Sequence, residues 1–325
     1  MSGLWQINRW SLKKCPDLRG KSAVVTGGAR SIGAEITRQL LIAGCSEIAV
    51  LSKNPASFDH ARRNEWRSLD TSGVTFYQVD LGSMSEVEKV AKKLRADLKK
   101  IDMLYLNAGL PTVPEYRLSP DGIDEIFAVN HLGHFWLTSQ LLPLIEKTAS
   151  ASSDARVVVT SSSLHQMASS LHFETLESDR RTYYQPIDSV YRYARSKLAN
   201  ILFTHELNKK LQQRGVKGVY VNVFFPGNVA TASMDTWKVI FGPLGYLMKA
   251  FFATVGQSTK DAATTALYLG CAPEIKSKDI HGRYFIPAAY EYGVSKTADD
   301  DRLAEQLWMW SERKIEQILS TSTSS

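Results

Sequence analysis

Two tyrosines in the segment 191–203 each precede a cation by four residues. Tyr191 stands four residues before Arg195, and Tyr193 stands four residues before Lys197. On a helix this spacing puts a phenol and a cation on one face, about one turn apart. A neighbouring cation stabilises the phenolate and so lowers a pKa of about 10 toward a value useful for acid–base chemistry. Only lysine also releases a proton in practice, but the helical periodicity leaves both pairs open.

The elements that must position these groups alternate along the chain. Short β-rich segments are predicted as strands at 22–26, 47–51, 74–80, 103–106, 156–161, 219–225 and 283–287. Amphipathic segments between them are predicted as helices at 32–44, 84–98, 121–147, 190–214 and 258–271. This alternation predicts an α/β fold, a Rossmann-type doubly wound parallel sheet of about seven strands, in a single domain over 1–325. Ligands of such sheets bind at the carboxyl ends of the strands.

The composition is that of a globular protein, with 44% hydrophobic and 22% charged residues. The net charge of +6 is spread along the chain, so we do not expect nucleic-acid binding, and it also suits an anionic small ligand. The three cysteines, Cys15, Cys45 and Cys271, form no CxxC pair. They are typical of free thiols in a reducing compartment, and we expect a cytoplasmic protein without a metal site.

Two segments stand apart from the strand–helix alternation. The start of the chain has no apolar run typical of a signal peptide. The segment 239–256 is strongly apolar but contains Gly, Pro and Lys, so we predict a lid over a substrate rather than a membrane span. Contact with a membrane surface through 239–256 is the less favoured alternative. Residues 320–325 are all Ser or Thr and are predicted to form a disordered tail.

A glycine-rich turn follows the first predicted strand. Gly27 allows a sharp turn, Gly33 allows the next helix to approach the strand closely, and the N-terminus of that helix offers free N–H groups to a phosphate. The segment resembles the TGxxxGxG fingerprint of the short-chain dehydrogenase/reductase family, with Ser31 in place of the middle glycine. If position 31 needs a positive φ, serine costs on the order of 1 kcal/mol there. The resemblance implies a bound dinucleotide, contacted here by Gly27, Arg30, Ser31, Ile32 and Gly33.

The second strand ends at Ser52 and Lys53, without an acidic residue. In dinucleotide sites an acid at this point holds the ribose 2′-hydroxyl of NAD, whereas a cation accommodates the 2′-phosphate of NADP. Lys53 and Arg30 supply two cations for the same phosphate, so we expect NADP(H) as the cofactor. The alternative is that both are loop cations that face water.

Further motifs match the family in order along the chain. They imply cofactor contacts from Asp80 and Leu81 after the third strand, from the NAG motif Asn107, Ala108 and Gly109 after the fourth, and from Pro226, Gly227, Val229 and Thr231 in a PGxVxT motif after the sixth. In the family the acid at position 80 bonds the adenine amino group, and the NAG motif braces the sheet beside the cofactor.

The resemblance also distinguishes the two tyrosine pairs. YxxxK is the family's catalytic signature, and the segment 193–203, YARSKLANILF, is close to its retinol-dehydrogenase-like version. Tyr193 is therefore implied as the proton donor in reduction, and Lys197 as the residue that lowers its pKa and binds the ribose. Tyr191 and Arg195 are interpreted as a contact on the helix surface, worth about a few tenths of a kcal/mol.

Two more catalytic roles follow from the same resemblance. An SSxxH pattern aligns Ser162 as the group that polarises the substrate carbonyl, with Ser161 and Ser163 as alternatives. Asn130 is implied to bend its helix and to complete the proton relay through a water. Ser162 and Tyr193 are 31 residues apart, more than is usual in the family, so the intervening segment is expected to border the active site and to shape substrate access.

The resemblance implies an NADPH-dependent oxidoreductase that reduces a ketone or aldehyde. The apolar segment 239–256 favours a lipophilic substrate, of polyketide, steroid or retinoid type, and we expect a ketoreductase role in secondary metabolism. The alternative is a non-catalytic NADP(H)-binding sensor or scaffold on the same fold. Family members often pair through the helix that carries YxxxK and its neighbour, which implies a homodimer or homotetramer.

Overall fold

The protein is described by a computed structural model that covers residues 10–177, 187–228 and 257–322. These residues contain one eight-stranded sheet of order β3-β2-β1-β4-β5-β6-β7-β8. The strands are β1 Ser22–Thr26, β2 Glu47–Ser52, β3 Val74–Gln78, β4 Met103–Leu106, β5 Ala155–Thr160, β6 Val219–Phe224, β7 Tyr284–Ile286 and β8 Tyr290–Glu291. The first seven are parallel and β8 is antiparallel to β7. The predicted Rossmann-type sheet is confirmed, and β8 was missed because two residues show no alternation.

Helices cover both faces of this sheet. They are α1 Ser31–Ile42, α2 Pro55–Asn64, α3 Met84–Asp97, α4 Glu125–Phe127, α5 Gly133–Ser152, α6 Ile187–Gln213, α7 Thr259–Cys271, α8 Pro273–Ser277 and α9 Asp301–Ser322. A π-helical turn, Ala128–Leu132, joins α4 to α5, so the helix predicted at 121–147 is interrupted. The sequence analysis did not assign α2, α8 or α9. Because α9 continues to Ser322, the first three residues of the predicted disordered tail are helical.

The strand order determines where a ligand can bind. From β1 the chain adds β2 and β3 on one side, then returns to add β4 and the later strands on the other side. The connection that follows β1 and the connection that follows β4 therefore lie on opposite faces of the sheet. The space between them is a crevice at the carboxyl ends of these two strands. The glycine-rich turn follows β1 and the NAG motif follows β4, so both lie at this crevice.

Two apolar clusters fill the space between the sheet and its helices. One face of the sheet packs against α3, α5, α6 and α9, through residues such as Val87, Leu137 and Leu198. The other face packs against α1, α2 and α7, through residues such as Ile36 and Leu267. Strands buried on both faces need apolar residues at every position, which is why β1, β4, β5 and β6 read as continuous buried runs.

The C-terminal helix α9 packs on the outer side of α5 and α6. Trp308 stacks on Phe203 with ring centroids 6.0 Å apart and meets Phe135 edge-to-face at 4.8 Å. The Lys210 ammonium lies 4.9 Å from the centroid of the same indole ring. These contacts use α9 as the outermost layer of this face of the domain.

Some predictions fall on residues that the structure does not describe. The apolar segment 239–256 and the C-terminal residues 323–325 lie outside the described part of the chain. Among the residues that are described, we find no helix with both the length and the apolar character needed to cross a bilayer.

Candidate active site

The glycine-rich turn has the geometry that the sequence predicts. Gly27 adopts φ +65° and Ser31 adopts φ +49°, so the serine does occupy a left-handed position. A Cβ at Gly33 would lie 2.1 Å from the carbonyl oxygen of Gly27, so the approach of α1 to the turn requires glycine. Arg30 precedes α1 in an extended conformation and makes no side-chain cap, and Ile32 lies in the first turn of the helix. The N-terminus of α1 thus remains open to a phosphate.

The NAG motif braces β4 against β1, as predicted. The Thr26 hydroxyl accepts the N–H groups of Asn107 at 2.9 Å and Ala108 at 3.0 Å. The Asn107 amide donates to the Thr26 carbonyl at 3.2 Å. On its other side the Thr26 hydroxyl bonds Nε2 of His134 at 2.8 Å, and burial lowers the pKa of that imidazole to about 4, which keeps it neutral.

Asn130 lies on the π-helical turn and is held by Leu110 and Ser196. Its Oδ1 accepts the Leu110 N–H at 2.7 Å, and its Nδ2 donates to the Leu110 carbonyl at 3.1 Å and to the Ser196 hydroxyl at 3.0 Å. A Cβ at Gly109 would lie 3.1 Å from Asn130 Oδ1 and 3.4 Å from Lys197 Nζ. The third residue of the NAG motif therefore meets both the asparagine and the lysine.

The three consecutive serines after β5 have different surroundings. Ser161 is buried and donates its hydroxyl to the Lys197 carbonyl at 2.7 Å, while Ser163 is exposed. The Ser162 hydroxyl accepts the Leu164 N–H at 3.2 Å and lies close enough to the phenol of Tyr193 to lower its pKa. Of the three serines, Ser162 is the one that the structure brings to the tyrosine.

Ser162 is also fixed through its backbone. The imidazole of His165 lies with Nδ1 2.7 Å from the Ser162 carbonyl oxygen and is fully buried against the ring of Tyr284. The histidine of the SSxxH pattern thus closes the turn that presents the serine.

Burial controls the protonation of Tyr193 and Lys197. The Lys197 ammonium lies 5.6 Å from the centroid of the tyrosine ring and donates to the Thr160 carbonyl at 3.3 Å. Burial raises the pKa of Tyr193 to about 12, against the lowering effect of the Ser162 hydrogen bond. Desolvation of the phenolate thus outweighs the lowering by Ser162, and the lowering of this pKa by Lys197 stays a prediction. Burial also lowers the pKa of Lys197, to about 8.

At the far end of the crevice, Lys53 and Asp80 form an ion pair with Nζ 2.6 Å from Oδ2. Lys53 is mostly exposed, and the other carboxylate oxygen of Asp80 accepts the Gly82 N–H at 2.9 Å. The adjoining Ser52 ends β2 half-buried, and Leu81 is buried after β3. Both charged side chains were predicted to contact the cofactor, and here they contact each other.

A surface pocket next to the glycine-rich turn contains residues that the sequence analysis did not identify. Arg30 and Ser31 line it together with Asn54, Ser57 and His60 from the start of α2. Asn54 caps that helix, because its Oδ1 accepts the Ala56 N–H at 2.9 Å. The Asn-Pro pair at 54–55 is a helix-start signal and would have predicted α2.

The remaining predicted cofactor residues follow β6. Pro226 and Gly227 lie at the carboxyl end of the sheet, and Gly227 adopts φ +90°. A Cβ there would lie 1.7 Å from the side-chain oxygen of Gln257, so the turn requires glycine. Val229 and Thr231 lie outside the described residues.

The other tyrosine pair does not form a surface contact, so that interpretation is wrong. Tyr191 is 4% exposed and Arg195 is 1% exposed. The Arg195 guanidinium pairs with Asp124 at 2.9 Å, and the Tyr191 hydroxyl donates to the Ser170 carbonyl at 2.6 Å. The periodicity of α6 could not reveal this, because the helix is buried on nearly all sides.

Comparisons with known proteins show the family to which the chain belongs. The profile of the short chain dehydrogenase family matches residues 21–172. Retinol dehydrogenase 14 of Mus musculus is 32% identical over 308 residues, which cover 91% of this chain and 86% of the relative. Polyprenol dehydrogenase of Danio rerio is 32% identical over 302 residues, which cover 91% and 87%. The crystal structure of an uncharacterized protein from Mycobacterium Paratuberculosis superposes with a TM-score of 0.71 at 25% identity, covering 95% of this chain and 98% of that one.

The family uses a nicotinamide dinucleotide, NAD(H) or NADP(H). Relatives named as retinol dehydrogenases are about one third identical to this chain over about nine-tenths of its length. This chain is an oxidoreductase of the short-chain dehydrogenase/reductase family, in its retinol-dehydrogenase-like branch.

Proposed function

We propose that the chain is an NADP-dependent oxidoreductase that interconverts a carbonyl and an alcohol on a lipophilic small molecule, with NADPH-driven reduction as the working direction. One observation carries the proposal. Tyr193, Ser162, Lys197 and Asn130 converge at the carboxyl ends of β4 and β5, through the contacts of Ser162 with Tyr193 and of Gly109 with Asn130 and Lys197. A reaction that moves a hydride and a proton needs such a cluster beside a cofactor site.

The residues at the crevice suit a dinucleotide. The approach allowed by Gly33, the left-handed turn at Ser31 and the open N-terminus of α1 together form a site for a pyrophosphate. When bound, the nicotinamide supplies the hydride in reduction and accepts it in oxidation.

Each side chain has a distinct part in the reaction. Ser162 donates a hydrogen bond to the carbonyl oxygen and orients it toward Tyr193. With a pKa raised to about 12, Tyr193 carries its proton at neutral pH and transfers it to the oxygen as negative charge develops there. Lys197, when protonated, stabilises the phenolate left on Tyr193, and Asn130 holds the Leu110 backbone beside them.

Removal of the phenolic hydroxyl tests these roles. Tyr193→Phe should lower kcat by a factor of about 10²–10⁴, because the developing alkoxide loses its proton donor. Binding of NADPH, followed by its fluorescence, should stay close to that of the unaltered protein. Tyr77→Phe is the matched control, because that phenol bonds Asp97 at the end of α3, away from the crevice. Full turnover by Tyr193→Phe would refute the mechanism, and NADPH binding without turnover of any carbonyl by the unaltered protein would favour a sensor.

The preference for NADP rests on Lys53 and Arg30, two exposed cations at the adenosine end of the crevice, although Lys53 is paired with Asp80 and Glu65 also lines the pocket beside Arg30. Lys53→Asp should raise KM for NADPH by at least about tenfold while it changes KM for NADH little, because a carboxylate repels the 2′-phosphate. Lys93→Asp in the C-terminal half of α3 is the control, since Lys93 is also an exposed lysine paired with an aspartate. Equal effects of Lys53→Asp on both cofactors would contradict the assignment.

The lipophilic substrate class is supported by two relatives, which are named for retinol and polyprenol, and by the apolar sequence at 239–256. Polyketide-like and steroid-like carbonyls belong to the same class. A panel that contains retinal, a steroid ketone, an aromatic ketone and short polar aldehydes tests it by NADPH oxidation. We expect the highest kcat/KM on the large apolar members, and turnover of short polar aldehydes alone would contradict the class.

A further inference from the structure

Two loops leave the candidate active site from catalytic residues. The first, residues 110–124, starts at Leu110, whose backbone N–H and carbonyl are both bonded to the side chain of Asn130. The second, residues 163–177, starts directly after Ser162. Because each loop begins beside a catalytic side chain, both border the position at which a substrate reacts.

Arg195 of α6 joins the two loops at their far ends. Its Nη2 lies 2.9 Å from Oδ2 of Asp124, at the end of the first loop, and its Nη1 donates to the hydroxyl of Thr175 in the second at 2.6 Å. At the same point the Asp124 N–H donates to the Leu176 carbonyl at 2.7 Å. Asp124 and Arg195 are fully buried, so water cannot replace these contacts without opening the packing.

Two neighbouring side chains of α6 hold the same loops at other points. Arg192 donates from Nη2 to the Val113 carbonyl at 2.8 Å, and its Nε is paired with Asp188, four residues earlier on the helix, at 3.0 Å. The Tyr191 hydroxyl donates to the Ser170 carbonyl at 2.6 Å. The first loop is therefore attached to the catalytic helix near its start and at its end, and the second near its middle and near its end.

These attachments also lead back to the catalytic groups. The second carboxylate oxygen of Asp124 accepts the Phe127 N–H at 3.1 Å and so caps α4. Helix α4 continues directly into the π-helical turn that carries Asn130. A shift of Arg195 would thus move the start of the helix that presents Asn130 as well as the loop that follows Ser162.

We propose that Tyr191, Arg192 and Arg195 are positioning residues that hold the two loops at a fixed separation and thereby select large apolar substrates over small ones. The proposal rests on the proposed function, since it concerns the same cleft. Helix α6 then carries two groups of side chains. Tyr193 and Lys197 take part in the reaction, and Tyr191, Arg192 and Arg195 fix the walls of the cleft.

Three variants weaken these attachments and leave the helix in place. Arg195→Lys keeps the charge but loses the two-pronged contact, Thr175→Val removes one of its partners, and Tyr191→Phe removes one hydroxyl. For each, kcat/KM is measured with retinal and with hexanal, and amide hydrogen exchange is measured over both loops. We expect the ratio of kcat/KM for retinal to kcat/KM for hexanal to fall about tenfold in Arg195→Lys, mainly because KM for retinal rises. The ratio should fall less in Thr175→Val and Tyr191→Phe. Exchange in 113–124 and 168–176 should rise about tenfold.

Arg156→Lys is the matched control. Arg156 is as buried as Arg195 and is directed at the carbonyls of Leu269 and Ala272, but it lies at the start of β5, and so at the opposite end of the strands from the site. The Arg156→Lys variant should be less stable than the unaltered protein, with the same retinal-to-hexanal ratio of kcat/KM. An unchanged ratio in Arg195→Lys, an equal change in the control, or unchanged exchange in both loops would overturn the proposal. If the unaltered enzyme reduces neither aldehyde, the proposed function fails for these substrates, and the exchange data alone decide whether the residues anchor the loops.

Discussion

The buried ammonium of Lys197 should lower the free energy of unfolding of the protein. Burial lowers its pKa from the usual 10.5 to about 8, because the interior solvates the ammonium poorly. Within the described residues its ammonium donates one hydrogen bond, to the Thr160 carbonyl, and that carbonyl also accepts the Asn200 amide at 2.9 Å. Replacement by methionine, which has similar length and no charge, therefore leaves the carbonyl bonded.

The magnitude follows from the shift. A displacement of about 2.5 pKa units corresponds to about 3 kcal/mol of preference for the neutral form in the folded state. Because the folded pKa lies below the unfolded one, this penalty is fully present below about pH 8 and disappears as the pH rises toward about 10.5. Lys197→Met should thus be more stable than the unaltered protein by about 3 kcal/mol near pH 7, and by only about 1 kcal/mol near pH 9.5.

Urea unfolding of both proteins at the two pH values measures this difference directly, and comparison of the two chains cancels the titration of every other group. The same variant should lose nearly all turnover, so stability and activity change in opposite directions. A variant that is less stable at neutral pH, or a difference that does not shrink with rising pH, would refute the assignment of a destabilising buried ammonium.

Two further predictions concern the glycine-rich turn and the thiols. Ser31→Gly should stabilise the fold by about 0.5–1 kcal/mol, because glycine accepts the left-handed φ of +49° without strain, and a loss of stability in urea unfolding would contradict this reasoning. The Sγ atoms of Cys15 and Cys271 lie 3.4 Å apart, so treatment with diamide should cross-link them, whereas Cys45, buried with its pKa raised to about 12, should stay reduced. Peptide mapping under non-reducing conditions tests this, and preferential modification of Cys45 would contradict it.

Much of the site could be read from the sequence, because its residues follow strand ends. Seven strands were placed within two residues of their observed bounds, since each is a short apolar run between turn signals. The fingerprint turn, the NAG motif and Ser162 follow directly from those strands. Local patterns of this kind survive in the folded state because the strands are buried on both faces.

Other features depend on tertiary contacts that a pattern does not contain. Helix α6 was located, but its periodicity could not show that Tyr191 and Arg195 face other parts of the chain rather than water. The pKa of Tyr193 was assigned from its neighbour in sequence, whereas desolvation by the whole fold determines it. Helix α9 was not predicted, although Leu307, Trp308 and Ile315 have helical spacing. The predicted fold ended with its last strand at 283–287 and did not require a further helix.

The position of α9 bears on how copies of this chain can associate. Its Trp308 covers Phe135 of α5 and Phe203 of α6, and His131 bonds Ser311 at 3.2 Å from the same direction. The helix carrying YxxxK and its neighbour thus have an intramolecular partner on the face that bears Phe135 and Phe203, and the pairing of two copies through these helices stays a prediction. A chain truncated before Asp301 would instead expose these aromatic rings to solvent, and this apolar patch would favour non-specific aggregation.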